Sequence, residues 1–236
     1  LELFFQPKVN KDLKIIGAEG LIRWNRGEGV EVSPSDFIEV AEESNLILPL
    51  GTWVFKKACE QLQIWHRSNK FKHLTLSINI SAKQIWQNDF IEVLGHYLSV
   101  YTFQRNHLTL EITEGIMLKN LTETVHKLKI LKALGIKVSL DDFGTGYSSL
   151  SYLKTLPVDE IKIDTYFVRD IVDDPSDFMM VKAINNLGRN FNISVVAEGV
   201  ETEQHLSCLQ DIGVPTYQGY LFSKPLVIED FERMID

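Results

Sequence analysis

Residues 74–81 read Leu-Thr-Leu-Ser-Ile-Asn-Ile-Ser, and the alternation in that stretch decides the fold. Side chains on a strand point to opposite faces in turn. Leu74, Leu76, Ile78 and Ile80 therefore share one face, while Thr75, Ser77, Asn79 and Ser81 share the other. The same parity separates Leu108, Leu110 and Ile112 from Thr109, Glu111 and Thr113, and Ile136, Val138 and Leu140 from Lys137, Ser139 and Asp141. It sets Ile161 and Ile163 against Glu160, Lys162 and Asp164, and Ile193, Val195 and Ala197 against Ser194, Val196 and Glu198. Parallel strands covered by helices are normally apolar on both faces. These strands are apolar on one face only, so the other must line something polar.

Working outward, the segments between these strands carry apolar residues at helical spacing. Val54, Ala58, Leu62 and Trp65 form one such stripe, Leu121, Val125, Leu128 and Leu131 a second, and Phe178, Val181, Ala183, Ile184 and Leu187 a third. Gly135 and Gly213 stand where glycines end helices. Strand and helix alternate, which implies parallel strands joined by crossover helices, and about eight strands close naturally as an α/β TIM-like (β/α)8 barrel. The start differs. Segments 2–7 and 14–23 are both strand-like and flank the polar turn Asn10-Lys11-Asp12, so the first strand is expected to run antiparallel to the rest.

The chain has 236 residues, 44% of them hydrophobic, enough for one substantial core. Residues 1–236 read as a single domain; because Leu1 to Lys8 is already strand-like, that domain is expected to come from a longer multidomain chain. The net charge of −8 is the wrong sign for tracking a nucleic acid backbone. No apolar run approaches the roughly 18 residues of a membrane span, so no membrane contact is expected of this segment. Cys59 and Cys208 read as buried thiols in a reducing, cytoplasmic setting.

If the apolar faces meet the helices, the polar faces point into the barrel. Asn79, Glu111, Asp141, Lys162 and Glu198 then fall near strand C-terminal ends, the rim where TIM-barrel chemistry is done. Crowding carboxylates in one cavity costs several kcal/mol per unpaired charge, roughly, unless cations compensate them. One lysine does not balance these acids. Oxygen donors without a His or Cys cluster indicate Mg²⁺ or Mn²⁺, with Ca²⁺ as a further, non-productive occupant. Taken singly, each acid is more simply a helix cap or a solvated strand end; it is the agreement of parity and position that argues for a site.

With those residues in view, the chain resembles the EAL-domain cyclic di-GMP phosphodiesterases over nearly its full length. The resemblance is carried by Phe5-Gln6-Pro7, Glu19-Gly20-Leu21-Ile22-Arg23-Trp24, Ser77-Ile78-Asn79-Ile80-Ser81, Glu111-Ile112-Thr113-Glu114 and DDFGTGYSSL at 141–150. Lys162-Ile163-Asp164, Ala197-Glu198-Gly199-Val200-Glu201-Thr202 and Gln218-Gly219-Tyr220-Leu221-Phe222 complete it. It implies hydrolysis of cyclic di-GMP to linear 5′-pGpG by two metal ions. Glu19, Asn79, Glu111 and Asp141 would hold one ion, with Asp141 bridging to a second held by Asp142 and Glu198. Glu198 and Lys162 would act in catalysis, Lys162 having a structural salt bridge as its plainer reading. Gln6, Leu21, Arg23, Asp142, Glu201, Gln218 and Tyr220 would contact the substrate, although Arg23 could serve an exposed salt bridge and Tyr220 the core. Glu114 would anchor the 141–150 loop, and the family implies a homodimer.

Two departures stand out. Gly20 replaces the alanine of the family signature; parity places it on the face opposite Glu19, Leu21 and Arg23, so its cost is expected in stability, roughly 0.5–1 kcal/mol. In the stretch from Asn25 to Val32 a family proline is missing and Gly27 and Gly29 appear. The rival function is a catalytically inactive EAL domain that serves as a cyclic di-GMP receptor or docking module.

Overall fold

The computed structural model describes residues 1–25, 31–145, 153 and 155–235. Its strands are β1 (Glu2–Asn10), β2 (Ile15–Asn25), β3 (Glu31–Val32), β4 (Thr75–Asn79), β5 (Leu108–Thr113), β6 (Lys137–Phe143), β7 (Glu160–Ile163), β8 (Ser194–Ala197) and β9 (Thr216–Gln218). The expected hairpin forms. Asn10 Oδ1 accepts from the backbone N–H groups of Asp12 and Lys14, both at 3.0 Å, and Leu13 adopts a left-handed φ of 58° to complete the turn. Strand β1 then pairs antiparallel with β2 on one side and with β9 on the other. The remaining neighbours, β2–β4–β5–β6–β7–β8–β9, are all parallel. The result is a closed eight-stranded TIM-like barrel with one antiparallel strand, as expected, with the two-residue β3 paired only to the outer end of β2.

The parity of the strands sorts their side chains as the sequence implies. Leu76, Ile78, Leu110, Ile112, Val138 and Ile161 are buried in one apolar cluster with helix residues such as Leu62, Leu128, Val181 and Leu209. Each such side chain removed from water contributes about 1.5–3 kcal/mol. Ser77, Thr109, Ser139 and Lys162 are equally buried but polar, and Val196, though buried, stands apart from that cluster. The barrel thus has an aliphatic sleeve outside and a charged interior.

The helices follow their stripes with one exception. In the helix Pro175–Phe191, Ala183 is exposed and Asn185 is buried in its place, its Nδ2 donating to Ile212 O at 3.1 Å. Ala183 lies two positions from Val181, about 200° around the helix, so the two cannot share a face. Gly135 and Gly213 end their helices with φ of 85° and 81°. Among the described residues no helix is long and apolar enough to cross a membrane.

Candidate functional site

The interior is organised around Glu111, which projects from β5 and is wholly inaccessible to solvent. Each of its oxygens is held by a different ammonium group: Lys8 Nζ lies 2.7 Å from Oε1 and Lys162 Nζ 2.5 Å from Oε2. Burial works against ionisation of Glu111, but the two lysines outweigh it and hold its carboxyl below the ordinary value. Lys8 was missed at the sequence level. It shares a face of β1 with Gln6, so the parity argument, applied to the first strand as well as the parallel ones, would have found it. The expectation of one interior lysine is therefore corrected: two cations lie among the acids.

Lys162 also contacts Glu19 at 3.3 Å, Asp141 at 3.2 Å and Glu198 at 2.8 Å, bringing acids from β2, β5 and β6 and the residue just beyond β8 to a single ammonium. Burial alone would lower the Lys162 pKa, yet Glu111, Glu19, Glu198 and Asp141 together keep it well above the usual lysine value. Both readings of Lys162 start from here. It is a salt-bridged cation, and it lies at the centre of the carboxylates assigned to chemistry.

Glu19 is held on every side. Asn79 Nδ2 donates to its Oε1 at 2.6 Å, and Gln218 Nε2 donates to its Oε2 at 2.7 Å. Gln218 donates in turn to Gln6 Oε1, and Gln6 Nε2 reaches Ser223 O. Gln6 and Gln218 are buried beside the acids, whereas Asn79 stands exposed at the rim.

Asp141 and Asp142 are neighbours in sequence, and on a regular strand they would face opposite ways. Strand β6 departs from regularity here. Its pairing with β7 slips between Leu140↔Ile161 and Phe143↔Ile163, which inserts one extra residue, and Asp142 takes a left-handed φ of 55°. A bulge of this kind re-aims side chains next to a site. Asp142 accordingly feels Asp141 and shares a hydrogen bond with Asp164; burial first, then those two acids, push its carboxyl up to about 6.

Burial and the neighbouring acids also raise the carboxyls of Glu19 and Asp141, and push Glu198 up to about 8, with Lys162 opposing the rise in each case. Even with two lysines present the cluster is short of positive charge. This residual excess, on donors that are all oxygen, fits hard divalent cations. Among the described residues, no three His, Cys, Asp or Glu side chains form a group that could hold a metal ion as they stand.

Apart from Asp142, which lies beside Asp141 and Asp164, the residues assigned to substrate divide into three places. Leu21 and Arg23 border a cavity of about 390 Å³ that reaches Asn79 and Thr113. The Arg23 guanidinium lies 6.0 Å from the Phe4 ring centre and donates to Ile22 O. Tyr220 is 55% exposed, which removes the core reading, and Lys224 Nζ lies 5.5 Å from its ring centre; Glu201 is exposed as well. Gln6 and Gln218 are tied beneath them to Glu19. A larger, almost wholly apolar cavity of about 760 Å³ lies outside this group, between Trp24, Phe37, Leu50 and Trp53. Glu114 is buried with both carboxylate oxygens lacking a hydrogen-bond partner among the described residues. Half of the loop it is expected to anchor, 146–150, and the two glycines Gly27 and Gly29 lie outside those residues.

A charged, acid-rich C-terminal mouth on a barrel with one reversed strand is a narrow specification, and comparison with known proteins meets it. The family model described as EAL domain matches residues 1–225, and the chain belongs to that family. "Signaling protein YkoW" of Bacillus subtilis is 40% identical over 99% of the chain, which spans 29% of that protein. "Cyclic di-GMP phosphodiesterase PdeR" of Escherichia coli is 38% identical over 99% of the chain, which spans 35% of it. The solved structure "PaMucR Phosphodiesterase, c-di-GMP complex" superposes with a TM-score of 0.93 at 36% identity, covering 97% of this chain and 93% of that one. The chain therefore corresponds to about a third of the curated relatives' length.

Proposed function

We propose that this domain, 1–236, is a metal-dependent phosphodiesterase that hydrolyses one phosphodiester bond of cyclic di-GMP to linear 5′-pGpG. Water adds to phosphorus and the 3′ oxygen leaves, so the phosphate stays on the 5′ side. The observation that carries the reading is the convergence of Glu19, Glu111, Asp141 and Glu198 on Lys162, with excess negative charge left over. Glu19, Asn79, Glu111 and Asp141 would hold one Mg²⁺ or Mn²⁺, and Asp141, Asp142 and Glu198 a second. Two such ions, when bound, screen the phosphate charge and lower the pKa of water towards neutrality.

The remaining work falls to the protein. Burial and the neighbouring acids push the Glu198 carboxyl up to about 8, close to neutral pH, which suits it to accept a proton from attacking water. Lys162 steadies charge developing on phosphate. Arg23 offers a fork for phosphate oxygens, and exposed Tyr220 offers a face for a guanine ring. Leu21, Gln6, Gln218 and Glu201 complete the pocket, and Glu114 anchors the 141–150 loop. A cytoplasmic setting agrees with two free cysteines, and a homodimer is the proposed assembly.

Incubating the purified protein with cyclic di-GMP and Mg²⁺ or Mn²⁺, followed by chromatography, tests this. The expected product is pGpG, absent in Glu198→Gln. A receptor reading is favoured by the way Lys162 occupies the acid cluster, contacting Glu19, Glu111, Asp141 and Glu198 at once. Tight binding of cyclic di-GMP with no pGpG would establish it.

A further inference from the structure

We propose that Lys8 is a positioning residue for Glu111, holding one oxygen of that carboxylate while the other exchanges partners, and that Glu160 holds Lys8 in place. The inference rests on the metal-dependent reading above and concerns a residue that reading does not use.

The geometry is that of a clamp. Strand β1 runs opposite to the others, so its side chains enter the barrel in the reverse vertical order: Gln6 lies in register with Glu19, and Lys8 lies two residues further down, in register with Gly17. From there Lys8 Nζ reaches Glu111 Oε1 at 2.7 Å and Glu160 Oε1 at 3.4 Å. Glu160 is the first residue of β7, at the end of the strand away from the catalytic mouth, and its side chain is 20% exposed against 7% for Lys8. A ladder of alternating charge therefore climbs the barrel from Glu160 through Lys8 and Glu111 to Lys162 and the acids of the rim.

The two lysines differ in what they touch. Lys162 contacts four carboxylates at the mouth, so any divalent cation taken up there competes with it for the same oxygens. Lys8 contacts Glu111 only through its other oxygen, Oε1, and does so from the level of Gly17, below that of Gln6 and Glu19. When Lys162 gives up Oε2, Lys8 still fixes the plane and height of the carboxylate. Without Lys8, a fully buried carboxylate would keep a single partner and be free to turn about it. Groups that orient a metal ligand from behind are commonly worth about 10–100-fold in affinity.

The test is Mn²⁺ titration by calorimetry on the 236-residue protein, in wild type, Lys8→Met and Glu160→Gln. Lys8→Met is expected to weaken Mn²⁺ binding by about tenfold or more, to recover kcat at saturating Mn²⁺, and to leave KM for cyclic di-GMP near the wild-type value. Glu160→Gln keeps the Lys8–Glu111 contact and is expected to weaken binding in the same direction by a smaller factor. A folded Lys8→Met protein with a lowered unfolding midpoint and unchanged Mn²⁺ affinity would reduce Lys8 to a structural cation and overturn the inference. Should Lys8→Met not fold, Glu160→Gln decides, and unchanged affinity there overturns it equally. A wild-type protein that takes up no Mn²⁺ would remove the proposed function itself, whereas wild-type binding with no effect of either substitution removes only the role of Lys8.

Discussion

Lys162 Nζ sits 2.5 Å from Glu111 Oε2, in a pair whose side chains are at most 1% exposed. Removing one partner of such a buried pair leaves an uncompensated charge, at a cost of about 3–5 kcal/mol. Lys162→Met is expected to destabilise the chelator-treated protein on that scale and to abolish turnover. Urea unfolding with and without Mg²⁺ checks it: Mg²⁺ should return part of the lost stability. A midpoint equal to wild type in chelator would mean that the ion pair is not formed in solution.

The raised carboxyl of Glu198 gives a pH dependence with a definite sign. Its folded value of about 8 lies above the ordinary 4.5, so the folded state binds the proton more tightly than the unfolded one. The associated stability is fully present below 4.5 and is lost as pH rises through about 8. Metal-free protein is expected to melt at a lower temperature at pH 8.5 than at pH 6, roughly in proportion to this loss. Glu198→Gln, which carries no titrating group, should flatten the slope. A wild-type melting temperature that climbs across this interval would contradict the crowding of acids described above.

Asp142 combines a left-handed backbone with a carboxyl pushed up to about 6. Asn accepts that backbone, whereas a β-branched residue is strained there by about 1–2 kcal/mol. Asp142→Asn is expected to fold as well as wild type while losing turnover, and Asp142→Val to lose both turnover and stability. Equal unfolding midpoints for the two variants would argue against the bulge.

Gly20 can be tested from the opposite direction. A β-carbon built there lies 3.2 Å from Ile78 Cγ2 and 3.3 Å from Leu3 Cδ2, close contacts with the ends of side chains that can shift by a few tenths of an ångström. Gly20→Ala is expected to retain wild-type pGpG production within roughly twofold and to change stability by less than about 1 kcal/mol. A tenfold change in rate would place Gly20 in the chemistry.

The alternation in Leu74–Ser81 and its four counterparts was enough to establish a barrel with a polar lumen, because a period of two leaves each residue only two directions to face. The hairpin around Asn10–Asp12 likewise announced the reversed first strand. Local pattern also placed Asn79, Glu111, Asp141, Lys162 and Glu198 near one mouth. It could not set Asp142 beside Asp141, since a bulge depends on how β6 meets β7 rather than on its own sequence. Parity on β1 could have put Lys8 inside the barrel with Gln6, but it could not pair Lys8 with Glu111, 103 residues away. Pairing across a closed barrel brings distant strands to within hydrogen-bonding distance, and which charges meet there is decided by register and strand direction, quantities that exist only once the chain has closed.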